Sequence, residues 1–315
     1  MDFTFPEELV MLRDTIRKFV DRELEPISER VEEEDRIPDS VVVRMAELGL
    51  FGLGIPQEYG GQGLSVVGQC VANEELSRTN ACFRTRIGTN NGIGSMGILL
   101  AGTEEQKRKF LPALASGEMV GAFALTEANA GSDASRIETT AVRKGDRYIV
   151  NGTKLFITNG DIAGVFTVMA LTDKSKGPKG VSAFLVEKDF PGFAVGKIER
   201  KMGLRGSHTV ELVFQDCEVP ATSLLGREGD GFKIAMQVLD KGRLTMAACA
   251  LGAMEKLIEL STEYAKTRVT FGEPIANRQA IQWMLVEMAI SAYAVRHATY
   301  HAAWKMDHGE RVTKE

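Results

Sequence analysis

The chain has 315 residues and a formal net charge of -5, with charged residues making up 26% and aromatic residues 7%. That length allows two or three compact domains, each with its own core. Acids and bases are interspersed without a basic stripe, so neither nucleic acid nor an anionic membrane surface is expected as a partner.

In chain order, MDFTFPEELVMLRDTIRKF reads as an amphipathic helix that carries acids as well as bases and lacks the apolar centre and cleavage site of a signal peptide. Apolar residues recur at three and four through Leu9, Leu12, Ile16, Phe19 and Val20, which opens an α-helical domain over residues 1–118. ERVEEED at Glu29 to Asp35 reads as a solvated face, Pro38 as a helix start and EYGGQG at Glu58 to Gly63 as a loop. Thr103 with Gln106 forms a capping box before KRKFLPAL.

From residue 119 to 226 the period shifts to two, predicting a small antiparallel β-domain. Its strands are expected at Ile137 to Arg143, Arg147 to Asn151, Val165 to Leu171, Val181 to Glu187 and Val210 to Gln215, with KGDR and KSKGPKG as hairpin connections. Residues 227–315 return to helix, at Phe232 to about Thr267 and Arg278 to about His308, broken by VTFGEP. The fold class is therefore α+β and mainly α: an N-terminal helical domain, a central small antiparallel β-domain and a C-terminal helical bundle. Two long amphipathic helices cover only part of each other's apolar faces, so this bundle is incomplete as it stands. Met45, Met236, Met246, Met254, Met284 and Met288 fall at helical spacing and read as core filling.

No run is long and apolar enough to span a bilayer. Cys70, Cys82, Cys217 and Cys249 are scattered without metal-ligand spacing, which fits reduced thiols and a cytoplasmic location. His297 and His301 are four apart on a helix, but no third ligand accompanies them, so no metal is expected.

Two segments carry the chemistry. GAFALTEANAGSD at Gly121 to Asp133 and LFITNG at Leu155 to Gly160 each begin extended and break where Thr meets small or polar residues. Two such strand ends can offer backbone amides and the hydroxyls of Thr126, Ser132 and Thr158 to a planar heterocycle carrying phosphate, while Gly131 permits close approach. Either run alone is also ordinary hairpin chemistry.

In order and spacing the pair resembles the flavin-binding signature of the acyl-CoA dehydrogenase family. MGLRGSHTVELVFQDCEVP at Met202 to Pro220, LDKGR at Leu239 to Arg243 and TRVTFGEPI at Thr267 to Ile275 resemble further landmarks of that family in the same order. The resemblance runs from Phe3 to the end, and the family's pattern continues past Glu315. It implies FAD as cofactor, an acyl-CoA substrate, an electron-transfer flavoprotein as electron acceptor and a homotetramer. It also implies flavin contacts from Phe123, Leu125, Thr126, Gly131 and Ser132, with Ser132 facing the acyl-CoA as well, and from Phe156, Ile157 and Thr158. Many members carry Trp at the place of Phe156; Phe keeps the stacking surface and loses an N–H donor.

Arg268 and Phe271, with Gln279 as a third member, resemble residues that reach the flavin pyrophosphate and adenosine of a neighbouring subunit, and a guanidinium fork suits a diphosphate. Asp240 and Arg243 match positions that contact CoA or frame the active site; a helix-surface salt bridge is the plainer reading. Arg84 falls where glutaryl-CoA dehydrogenases bind a distal carboxylate, which implies a carboxyl-bearing acyl group, with Arg86 as a competing candidate and surface arginines as the plain alternative. The family's Glu base lies in a region expected beyond Glu315, and Gly242 occupies the position where a minority of members place it. The implied reaction is α,β-dehydrogenation of an acyl-CoA to the 2,3-enoyl-CoA. The alternative is a non-catalytic flavin- or CoA-binding subunit of a hetero-oligomer.

Overall fold

The computed structural model describes residues 4–315, so the first three residues of the N-terminal segment lie outside it. The helices that precede the sheet are α1 (Glu7–Phe19), α2 (Ser28–Glu33), α3 (Asp39–Glu47), α4 (Val66–Leu76), α5 (Ala81–Asn91), α6 (Met96–Ala101) and α7 (Glu104–Ser116). The strands β1 (Gly121–Ala124), β2 (Thr140–Lys144), β3 (Arg147–Thr158), β4 (Val165–Leu171), β5 (Val181–Glu187), β6 (Phe193–Ile198), β7 (Thr209–Pro220) and β8 (Leu224–Leu225) follow. Then come α8 (Gly231–Thr267), the short hairpin β9 (Val269–Thr270) and β10 (Glu273–Pro274), and α9 (Gln279–Asp307). Contacts divide the chain into two compact units.

The first unit comprises Met1–Glu29, Ser65–Arg84 and Arg243–Glu315. Its centre is α4, whose residues Gly68 to Leu76 are all buried, the acids Glu74 and Glu75 included. Buried carboxylates need charged partners. Arg17 grips Glu75 through two bonds of 2.8 and 2.7 Å, while Arg296 and the Tyr300 hydroxyl hold Glu74 at 2.8 and 2.6 Å. The N-terminus of α4 is capped twice. Ser65 accepts from the amide of Gly68, and the Asp307 carboxylate, from the end of α9, accepts from the amides of Val66 and Val67 at 2.6 and 3.0 Å.

The outer faces of α8 and α9 carry exposed Leu257, Leu260, Tyr264, Trp283, Val286, Ile290 and Tyr293. The methionines therefore divide. Met45 is fully buried in the other unit, but Met246 and Met284 are 53% and 59% exposed, which corrects their reading as core filling. Helical spacing reports a helix face, and these methionines stay exposed among the described residues.

The second unit comprises Arg30–Leu64 and Thr85–Gly242. Its sheet runs β6-β7-β3-β2-β4-β5-β8, with β1 added beside β4. Most pairs are antiparallel, but β1 runs parallel to β4. The capping box of α7 forms as the sequence implies, and buried Gln106 reaches on to the carbonyls of Thr222 and Leu224. The KGDR turn closes β2 onto β3 with Gly145 at φ +65°.

Three strand boundaries differ from expectation. Instead of stopping at Asn151, β3 continues to Thr158, because irregular pairings with β7 after Val150 and after Lys154 absorb the misfit. Likewise β7 runs on to Pro220. A 3-10 turn at Ala134–Arg136 delays β2 to Thr140. The acidic stretch is more than a solvated face: Asp35 and Glu32 bind Arg205 through its side chain and backbone amide. That guanidinium holds the Asp35 carboxyl below its usual range.

Candidate functional site

The two signature segments lie side by side in the second unit. The amide of Leu155 donates to the carbonyl of Thr126 at 2.9 Å, so the end of the first segment is hydrogen-bonded directly to β3. Phe123 and Leu125 point into the apolar core, so they offer only backbone at the surface, whereas Thr126 is half-buried. Gly131 and Ser132 are exposed in the following loop, and a Cβ built on Gly131 would meet nothing within 4 Å.

In the second segment, alternation breaks. Lys154 pairs with Leu212, but the next paired position, Ile157, faces Val210. Three residues of β3 thus span the step that two cover in β7, the signature of a bulge. Ile157 returns to the core at 2% exposure, leaving its backbone as its contribution, while Phe156 is 60% exposed at φ +58°. An aromatic residue held in left-handed backbone is strained by about 1–2 kcal/mol. Thr158 is half-buried beside it.

Two buried asparagines anchor these strand ends to α5. Asn90 donates to the carbonyls of Leu114 and Met119 and accepts from the amide of Gly121, fixing the entry to β1. Asn159 donates to the carbonyl of Thr85 and the hydroxyl of Thr89. Beyond it, the Asp161 carboxylate meets His208 Nδ1 at 2.6 Å, and His208 Nε2 lies 2.9 Å from the carbonyl of Asp35.

Behind the strand ends sits a pair that the sequence reading missed. The Lys154 ammonium, 0% exposed, donates to Glu127 Oε1 at 2.6 Å and to the carbonyl of Leu125 at 3.1 Å. Glu127 also accepts from the backbone amides of Glu138 at 2.5 Å and Thr139 at 3.1 Å. Burial pushes the Lys154 ammonium down to about 8, against the pull of Glu127. Burial alone would raise the Glu127 carboxyl, but Lys154 and the two amides outweigh it and hold it below its ordinary value. The only signal in the sequence was an acid inside the first signature segment and a base immediately before the second.

The remaining candidates lie elsewhere. Arg268, Phe271 and Gln279 gather in the first unit, on the β9–β10 hairpin and the first turn of α9. Phe271 is 98% exposed at φ +54°, with the Arg278 guanidinium 5.9 Å from its ring centroid. Asp240, half-buried, and Arg243, exposed, are three residues apart on α8. Arg84 is neither a free surface arginine nor open to a ligand at Nε, because it donates from there to Asn73 at 3.0 Å. Arg86 is half-buried, 6.0 Å from the Phe51 ring centroid; its Nη1 has no protein partner, and burial lowers its guanidinium. Among the described residues no group of three or more His, Cys, Asp or Glu side chains is placed to hold a metal ion.

The arrangement suits a flat, polar-edged ring: an exposed aromatic surface, two threonine hydroxyls and strand-end backbone meet on one rigid sheet. Models of the acyl-CoA dehydrogenase N-terminal, middle and C-terminal domains match residues 6–118, 122–217 and 229–315. The chain belongs to the acyl-CoA dehydrogenase family.

It is 47% identical to an acyl-CoA dehydrogenase of Bacillus subtilis over 98% of this chain and 82% of that protein. It is 46% identical to an acryloyl-CoA reductase (NADH) of Anaerotignum propionicum over 100% and 80%. Among solved structures, butyryl-CoA dehydrogenase from Megasphaera elsdenii superposes with a TM-score of 0.95 at 40% identity, covering 99% of this chain and 83% of that one. A chain from work on the electron transferring flavoprotein of Acidaminococcus fermentans and flavin-based electron bifurcation gives 0.96 at 45% identity, over 99% and 82%. An acyl-CoA dehydrogenase from Bacillus anthracis, solved in complex with FAD, gives 0.89 at 38% identity, over 96% and 52%. As in the family, the fold places a β-domain between helical segments, and no helix of the described residues is long and apolar enough to cross a membrane.

Proposed function

We propose that this chain carries out FAD-dependent α,β-dehydrogenation of a short-chain acyl-CoA and passes the electrons to an electron-transfer flavoprotein, working as a homotetramer. The observation that carries the reading is the junction of the two signature segments at Leu155 and Thr126, with Phe156, Thr126 and Thr158 open beside it. The relatives named for butyryl-CoA and short-chain substrates support a short, uncharged acyl group. The carboxyl-bearing acyl group suggested by the position of Arg84 draws no support from these relatives, and Arg84 Nε is already bonded to Asn73.

Bound flavin would supply a two-electron acceptor for the hydride leaving the β-carbon, and the α-proton leaves to a separate base, a role for which Gly242 has no side chain. The protein's part is to bind and orient. Phe156 offers its exposed face to the ring, and the hydroxyls of Thr126 and Thr158 donate to or accept from ring heteroatoms. Gly131 and Ser132 let the loop approach the ring edge and the thioester. Arg268, with Phe271 and Gln279, suits the diphosphate and adenine of a flavin held by a neighbouring subunit. Asp240 and Arg243 on α8 serve the CoA portion.

Absorbance of the purified protein, with mass analysis of released cofactor, tests the first part: absence of FAD would refute the reading. Anaerobic addition of butyryl-CoA should then bleach the flavin, and glutaryl-CoA should not. A flavoprotein bleached by no acyl-CoA would instead support the non-catalytic subunit. The similarity to an NADH-dependent acryloyl-CoA reductase makes reoxidation of reduced protein by a short enoyl-CoA the informative companion assay.

A further inference from the structure

The buried pair behind the strand ends does something that stability does not explain. Taking an ammonium and a carboxylate out of water costs several kcal/mol per ion, and a well-packed apolar pair of similar volume is often as stable or more so. What an ion pair adds is a fixed geometry, and here the geometry is specific. The loop carrying Gly131 and Ser132 leaves at Glu127 and returns at Glu138 and Thr139, and the Glu127 carboxylate accepts from both amides at the return. It thereby holds the loop shut at its base. Lys154 joins that carboxylate and the Leu125 carbonyl to β3. The bulge that lifts Phe156 out of the alternation starts at the same residue.

We propose that Lys154 and Glu127 are positioning residues for the flavin: together they fix the loop of the first segment against the β3 bulge, and so set where Phe156 and Thr158 stand relative to Thr126 and Ser132. This rests on the flavin reading given above. The pair is shielded by protein and touches no ligand. It acts through the backbone at residues 125–127 and through the bulge, holding a strained aromatic residue in place before the cofactor arrives.

The test uses apo-protein of the whole chain, with FAD affinity measured by flavin fluorescence and backbone order at residues 125–139 by hydrogen exchange. Lys154→Met leaves a buried carboxylate unpaired and risks misfolding. The informative variant is therefore Lys154→Met with Glu127→Gln, which is neutral, similar in shape and keeps one acceptor oxygen for the amide of Glu138. FAD binding by this double variant should be about tenfold or more weaker, the loss expected when one or two side chains must be ordered on binding. Its flavin spectrum should shift, and exchange over 125–139 should quicken while the rest of the second unit keeps its protection. A pair that is merely structural would lower the melting temperature and leave the affinity and spectrum of bound FAD at parent values, which overturns the proposal. A parent chain that takes up no FAD overturns the flavin reading and the clamp together; a parent that binds FAD no more tightly than the double variant overturns the clamp alone.

Discussion

Gly242 and Gly252 lie ten residues apart on α8, and alanine at each should change stability in opposite directions. In helix interiors alanine is favoured over glycine by about 0.8–1.0 kcal/mol, so propensity alone stabilises both variants. At Gly242 an added methyl group meets only Ile93 Cγ2 at 3.8 Å, an ordinary contact, so nearly all of that gain should survive. At Gly252 the methyl carbon would lie 2.9 Å from the carbonyl carbon of Glu74 and closer still to its oxygen, with Ser77 Cβ at 3.2 Å. Contact without strain begins near 3.4 Å, and the carbonyl oxygen is the limiting atom, so α4 and α8 must part by more than an ångström. Helix α4 cannot yield easily, because Glu74 is tied to Arg296 and Tyr300. Overpacking of this kind costs about 1–3 kcal/mol, which exceeds the propensity gain. Thermal melts of the two single variants beside the parent should therefore rank Gly242→Ala highest and Gly252→Ala lowest. A Gly252→Ala protein that melts at or above the parent would refute the close-packing argument.

Phe156→Gly relieves the left-handed strain of about 1–2 kcal/mol and accepts the backbone freedom of glycine, about 0.5–1 kcal/mol, so apo-protein melting should hold while FAD affinity falls. Because the folded state holds the Glu127 carboxyl below 4.5, the unfolded chain takes up that proton first as pH drops. The stability from this group is thus complete above about pH 4.5 and lost as pH falls through its folded value, and Glu127→Gln should melt with a flatter acid limb. Asp307→Ala uncaps α4 and should cost about 1–2 kcal/mol in a melt, with Asp307→Asn losing less because it still accepts. Because the proposed acyl group carries no charge, Arg84→Ala should leave the ratio of activities on butyryl- and glutaryl-CoA unchanged.

Local chemistry made much of this legible. The capping box at Thr103 and Gln106, the glycine turn after Lys144 and the breaks around VTFGEP act within a few residues, and each stands where the sequence puts it. The two signature segments were readable as strand ends because extended apolar runs stop at Thr, Gly and Ser. What escaped depends on partners far along the chain. Lys154 and Glu127 are 27 residues apart, and nothing local pairs them before tertiary structure brings them together. The buried stretch of α4 carries acids whose cations are 58 and 222 residues away. The β3 bulge is set by its register with β7, which no local pattern encodes.

The Asp307 cap and the Arg296 and Tyr300 contacts also bear on the order in which the molecule can assemble. The second unit is complete once residue 242 has been synthesised, and its contacts come from two neighbouring stretches. The first unit is drawn from three, and the end of α4 awaits a carboxylate that emerges about 240 residues later. During synthesis Glu75 can find Arg17 early, while Glu74 stays without its cation until α9 leaves the ribosome. Vectorial synthesis therefore gives the β-containing unit a head start over the helical unit.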